Sequence, residues 1–147
     1  MFHDIQNTLS IKQAITSTTP TLSTDVYDTG KVGGSDISIG GHSAISALVV
    51  PTAVTVATGG IKIEILQSAA SDMSSPDVIA SKDVPAAQLL VNANLEVPFT
   101  QGSISKRYIA LRYTGGNAAL NTNVCGYLVP SAEIPMYKSF PKVYQTL

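Results

Sequence analysis

Two histidines, ten carboxylates, one cysteine and thirty serines and threonines are the groups through which this sequence could do chemistry. Acid–base catalysis needs such groups drawn together and displaced from their ordinary pKa values. His3 sits beside Asp4 near one end, and His42 follows Gly40-Gly41. Both positions read as terminus or loop, where a His–Asp pair is expected to be solvated. No H-x-H, H-E-x-x-H or C-x-x-C spacing occurs, so no zinc set is expected. Asp72 and Asp77 share one polar turn, but an all-oxygen calcium site takes about six to eight ligands, and the two are not spaced as in an EF-hand. Nucleophilic catalysis finds little more. G-x-S-x-G and G-x-x-x-x-G-K-[ST] are both absent. Gly33-Gly34-Ser35-Asp36 and Gly40-Gly41-His42-Ser43 are expected to be turns. Cys125, between Val124 and Gly126, has no basic neighbour to favour a thiolate and reads as a buried structural thiol. The expectation is a protein without a catalytic site, metal or cofactor.

The elements that would position these groups are strands. Val and Ile together supply 26 of 147 residues, Ser and Thr 30, and eleven Gly with eight Pro punctuate the chain. β-Branched side chains suit a pleated, half-buried surface. Ile5 to Ile15 is a short helix or an arm leading into a strand. Thr16 to Thr21 is a loop, Leu22 to Thr29 a strand, and Gly30 to Gly41, with five glycines, a long connection. Ser43 to Thr52 is nearly continuously apolar, as a strand covered on both faces would be, and Val54 to Thr58 extends it past a bend at Pro51. Gly59-Gly60 is a tight turn. Ile61, Ile63 and Ile65 then alternate with Lys62 and Glu64, placing the isoleucines on one face and the charges on the other. Gln67 to Asp77 is a polar turn, Val78 to Val84 a strand, and Pro85 to Leu90 one helical turn with Pro at a favoured first position. Further strands are expected around Leu95, Val97 and Phe99, over Lys106 to Thr114, and over Leu120 to Val129. Seven or eight strands at this spacing predict one all-β jelly-roll or β-sandwich domain of about eight antiparallel strands over 1–147, with extended termini. Residues 1–15 form an arm or first strand, and 130–147 form a tail.

Charge narrows the partners. Charged residues make up 13% of the chain and the net charge is −1, where about 25% is usual for soluble domains. Nucleic-acid binding needs a concentrated basic face. The only local cluster, Lys106, Arg107 and Arg112, reads as a solvated strand face, so no nucleic-acid partner is expected. The longest apolar region, Ala44 to Ala57, is interrupted by Ser46, Pro51, Thr52 and Thr55, so no membrane span is expected. Met1 to Ser10 lacks the apolar core of a signal peptide. A single cysteine permits no intrachain disulfide and suits a reducing compartment. A surface so poor in charge suits a molecule packed against protein partners. Tyr27, Tyr108, Tyr113 and Tyr127 lie in expected strands and should pack in the core. Tyr137, Phe140 and Tyr144 lie in the tail, where they fold back or anchor a partner.

Several segments in order resemble the jelly-roll capsid cement (decoration) proteins of tailed bacteriophages. They are Leu9-Ser10 with Gln13-Ala14, Ser23-Thr24-Asp25-Val26-Tyr27-Asp28-Thr29-Gly30, and Ile39-Gly40-Gly41 before Ile45 to Val50. Ser74-Ser75-Pro76 with Val78-Ile79-Ala80, Lys106 to Tyr113, and Cys125-Gly126-Tyr127-Leu128-Val129 complete them. The resemblance covers about residues 5 to 145. It implies a jelly roll made in the host cytoplasm that binds the outer capsid surface and stabilises contacts between major capsid protein subunits. It also implies self-association, with a homodimer or homotrimer following from closed symmetry, and neither activity nor cofactor. Phe2, Ile5 and Leu9 in the arm and Tyr137, Phe140 and Tyr144 in the tail are the expected interface residues. A carbohydrate- or receptor-binding jelly roll on a virion is the rival expectation, and it would need an exposed aromatic platform.

Overall fold

Among the described residues the hydrophobic alternation of the sequence resolves into nine strands in two antiparallel sheets. The computed structural model describes residues 8–29, 45–99 and 104–130. The strands are β1 (Thr8–Ile15), β2 (Thr21–Leu22), β3 (Tyr27–Asp28), β4 (Ile45–Val56), β5 (Ile61–Ser68), β6 (Asp77–Val84), β7 (Leu95–Phe99), β8 (Tyr108–Gly115) and β9 (Asn121–Pro130). Sheet A runs β1-β9-β4-β7. Sheet B runs β2-β8-β5-β6, with β3 also on β8.

That order has a simple origin. β1 pairs β9, β2 and β3 pair β8, β4 pairs β7, and β5 pairs β6. The first half of the chain thus lies antiparallel to the second as one long ribbon. Wrapping the ribbon adds the pairs β4–β9 and β5–β8 and divides it into two sheets. This is the jelly roll, with β2 and β3 as two halves of one interrupted strand.

One apolar cluster fills the space between the sheets. Sheet A contributes Leu9, Ile15, Ala47, Val49, Val97 and Leu128. Sheet B contributes Ile61, Ile63, Ile65, Ile109, Leu111 and Tyr113. Each fully buried Leu, Ile or Val side chain stabilises the fold by about 1.5–3 kcal/mol relative to an exposed one. Leu9, expected as an interface residue, is 0% exposed in this cluster. It is a core residue of β1, and its side chain has no free surface to offer a partner.

The segment 22–29, expected as one strand, is instead two short pieces with a bridge between them. Ser23 is that bridge. Its N–H donates to Leu111 O at 2.7 Å, and its Oγ accepts the Leu111 N–H at 3.1 Å. A side-chain oxygen therefore replaces a ladder carbonyl where the backbone turns away toward Leu9, whose O accepts from Asp25 N at 2.9 Å. β4 runs unbroken through Pro51, with a register shift between Pro51 and Ala53 that absorbs the missing donor.

The edges are blunted. β1 carries two register shifts, and Lys12 there has φ +48°. β7 holds Pro98, which cannot donate to an added strand. On β6, Lys82 lies on the core side opposite Ile63 and donates from Nζ to Glu96 O at 3.2 Å, tying the sheet edges together.

Candidate functional site

Sheet B presents its ionic side outward. In β8 the alternation that buries Ile109, Leu111 and Tyr113 turns Tyr108, Ala110 and Arg112 to the other face. The expected basic cluster does not form a free patch. Lys106 Nζ lies 2.6 Å from Asp77 Oδ2, Arg107 Nε 2.7 Å from Asp28 Oδ1, and Arg112 Nε 2.6 Å from Glu64 Oε2. Arg107 also stacks over the Tyr108 ring at 5.3 Å. Glu64, which its spacing places on the charged face of β5, is only 7% exposed. The hydrogen bond from Arg112 holds its carboxyl below the usual value against the opposing cost of burial. Beside this row Leu66, Ala110 and Met73 form a small apolar cluster flanked by Leu22, Val26 and Tyr108. These are devices of sheet assembly: each charge meets its opposite on a neighbouring strand or turn.

The buried polar groups are equally satisfied. Tyr113 Oη lies 3.0 Å from Ser10 Oγ, which donates to Gln13 Oε1 at 2.7 Å. Burial pushes the Tyr113 phenol well above its ordinary pKa, so it stays protonated. Gly126 is required opposite it, because an added Cβ would stand 2.3 Å from the Tyr113 hydroxyl. Cys125 is buried, as its neighbours suggested, and its Sγ accepts the Lys12 N–H at 3.3 Å in the bulge of β1. Asp72 accepts the Ser74 N–H at 2.9 Å within its turn and Asp77 pairs with Lys106, so the two carboxylates serve separate partners. Among the described residues no cluster of three or more metal-ligating side chains occurs, and no helix is long and apolar enough to cross a membrane. An open depression of about 410 Å³ at the Gly59–Gly116 end is lined by one lysine, Lys62, one aspartate, Asp83, and one hydroxyl, Thr114.

His3, Asp4, Asp36, His42 and Glu133 lie outside the described residues, as do the expected interface residues Phe2, Ile5, Tyr137, Phe140 and Tyr144. Of the strand tyrosines, Tyr113 and Tyr127 are fully buried and Tyr27 and Tyr108 half-buried.

Strand register shows where the remaining segments join. Ile45 is the partner of both Phe99 and Pro130. Thr8 opposes Tyr127, and Thr29 N–H donates to Arg107 O at 3.0 Å beside the start of β8. Residues 1–7, 30–44, 100–103 and 131–147 therefore all join the sandwich at one end. Gln67 braces that end: its Oε1 accepts from Ser105 N at 2.8 Å and Lys106 N at 3.2 Å. The opposite end holds the connections 16–20, 57–60, 85–94 and 116–120, and Gly59 and Gly60 there have φ of +81° and +68°.

Sequence reasoning missed two features, the Glu64–Arg112 pair and the Ser23 bridge. The apolar run through Leu48-Val49-Val50 led it to expect cover on both faces, and the structure bears this out: Leu48, Val50, Cys125, Tyr127 and Val129 form a buried cluster on the outer side of sheet A.

No curated protein matches the sequence. The family model named Bbp16 matches residues 9–124, from β1 into β9. Those residues span the jelly-roll ribbon over well over half of the chain, and the protein belongs to the Bbp16 family.

Proposed function

We propose that this protein is a capsid cement subunit: it binds the outer surface of a phage capsid and holds neighbouring major capsid protein subunits together, without catalysis or a cofactor. The observation that carries the reading is the asymmetry of the sandwich. Both chain ends and the long 30–44 connection join it at one end, while the other holds the connections 16–20, 57–60, 85–94 and 116–120. A packed two-sheet block whose remaining segments all join at one end suits bridging between subunits. The pairing of Lys106, Arg107 and Arg112 with carboxylates supports a protein partner over nucleic acid. The sequence resemblance to cement proteins points the same way.

In this reading Phe2 and Ile5 of the arm and Tyr137, Phe140 and Tyr144 of the tail are the residues that contact the shell. Ile11 on edge strand β1 and Val78 on edge strand β6 are 48% and 49% exposed. They suit contact between copies, most simply in a two-fold dimer, with a three-fold trimer as the other closed arrangement. Binding only the assembled shell stabilises it by mass action, and many copies let modest contacts accumulate. Co-sedimentation tests the reading: purified protein should pellet with assembled shells and stay in solution with unassembled major capsid protein. Equal binding to both, or to neither, contradicts it.

A further inference from the structure

Leu90 and Val91 are adjacent large apolar side chains that stand in water, 60% and 49% exposed. The connection that carries them is held in place. Leu89 before them is anchored in the core, and Asn92 after them, at φ +69°, donates its N–H to Pro51 O on β4 at 2.9 Å. The Ala93 N–H donates back to Leu90 O at 3.1 Å. The same end of the sandwich holds a recess. The depression of about 410 Å³ has Ile61, Val84, Pro85 and three glycines as its apolar lining, and Lys62, Asp83 and Thr114 as its polar groups. Pro85 is both a wall of the recess and the first residue of the connection that carries Leu90 and Val91. Single apolar side chains scattered over a surface are ordinary, but an adjacent pair fixed outward beside an apolar recess is a contact surface. We infer that two copies of this chain dock through this end, each placing Leu90 and Val91 in the recess of the other.

A second copy is the occupant because one molecule offers both halves of the contact side by side. A two-fold interface needs a patch that complements itself, and a knob next to a recess is such a patch. Residues 85–94 hold no charged side chain, so inserting them buries no charge. The charges at the rim also match across a two-fold. Lys62 and Asp83 are register partners on β5 and β6, yet among the described residues no ion pair joins them. Lys62 Nζ lies 3.7 Å from Glu64 Oε1, whereas the three other pairs on this face close to between 2.6 and 2.7 Å. Asp83 is exposed. The rim thus carries one cation and one anion, and facing copies set each beside its opposite. The contact is separate from Ile11 and Val78 on the strand edges and does not depend on capsid binding. It leaves the end where the remaining segments join free in both copies.

Sedimentation velocity of the full-length protein over a range of concentrations tests the contact. The unsubstituted protein should pass from monomer to dimer as concentration rises. Replacing Leu90 and Val91 together by Ser should leave the far-UV spectrum unchanged, since both side chains are exposed, and weaken dimerisation by at least about tenfold. Thr114→Trp fills the recess and should weaken it as much with Leu90 and Val91 intact. Replacing Ile11 and Val78 by Ser should leave this association unchanged. Cysteine pairing reads the geometry without loss of contacts. Cys125 is the sole native thiol and is buried, so Leu90→Cys and Thr114→Cys variants, mixed and oxidised, should form a disulfide between one variant and the other. A monomer at every concentration up to about 1 mM, a folded Leu90→Ser/Val91→Ser variant that dimerises as tightly as the unsubstituted protein, or no disulfide between the mixed cysteine variants overturns the proposal. A dimer abolished by the Ile11 and Val78 substitutions alone assigns association to the strand edges and overturns it equally.

Discussion

Replacing Ser23 by Ala should destabilise the fold out of proportion to the single oxygen atom that it removes. Ser23 is 4% exposed and Leu111 0%. The substitution keeps the Ser23 N–H to Leu111 O bond, because that is main chain. It removes the acceptor of the buried Leu111 N–H and the 2.8 Å donation from Ser23 Oγ to Asp25 O. A buried N–H left without a partner costs about 1–3 kcal/mol, and the lost second bond adds about 0.5–1.5 kcal/mol where water does not replace it. The Asp25 carbonyl lies at an exposed residue and recovers a bond from solvent, so the net expectation is about 2 kcal/mol. For a domain of this size that is a fall in Tm of about 4–8 °C. Thermal unfolding by circular dichroism measures it, with Thr24→Ala as the control, since Thr24 is exposed and only its main-chain N–H is engaged. Amide exchange adds a local reading: the Leu111 N–H should lose protection more than the N–H of Ile109. A Tm within about 1 °C of the unsubstituted protein, with Leu111 exchange unchanged, would refute the bridge as the element that splices β2 and β3 onto β8.

Glu64→Gln should cost about 1–2 kcal/mol at neutral pH, because its partner Arg112 is partly solvated and the pair is screened accordingly. The folded-state pKa of Glu64 is depressed below 4.5. Its stabilisation is therefore complete above pH 4.5 and disappears as pH falls through the folded value. Denaturant titrations at pH 7 and pH 3 should show the gap between the two proteins closing at the lower pH. A gap that persists at pH 3 points to packing instead. Gly60→Ala should cost about 3 kcal/mol or prevent folding, since φ is +68° and the new Cβ would meet Val84 O; expression and Tm check it. Leu48→Ala should cost about 2–4 kcal/mol, as a core leucine does, because the outer side of sheet A is covered. A loss under about 0.5 kcal/mol, the value for an open surface, would show that face to be bare.

Much of the fold was legible because period-two alternation is a local signal. Ile61, Ile63 and Ile65 lie in the core as their spacing required, and so do Ile109, Leu111 and Tyr113. The turn at Gly59-Gly60 was visible because positive φ at both positions suits only glycine well. What escaped were features fixed by neighbours distant in sequence. The partner of Glu64 was invisible because Arg112, 48 residues later, meets it only once β5 and β8 are in register. Leu22 to Thr29 looked like one strand because nothing in its composition reveals that Ser23 bonds Leu111 through its side chain. Leu9 looked like an arm residue because bulges between Thr8 and Ser10, and between Ser10 and Gln13, break the alternation that would have marked β1. The Lys106–Arg107–Arg112 cluster was visible as charge, but its three separate carboxylate partners were not. The pairing of chain halves that makes the jelly roll is non-local throughout, so sequence spacing predicted its strand number better than its order.

The most direct test of the cement reading is the stability of the shell itself. Capsids stripped of this protein and then reconstituted with it should be heated while release of packaged DNA is followed by dye fluorescence. Stripped shells should release DNA at a lower temperature, and re-adding the protein should restore the original value until binding saturates. An identical release temperature with and without the protein would contradict the reading.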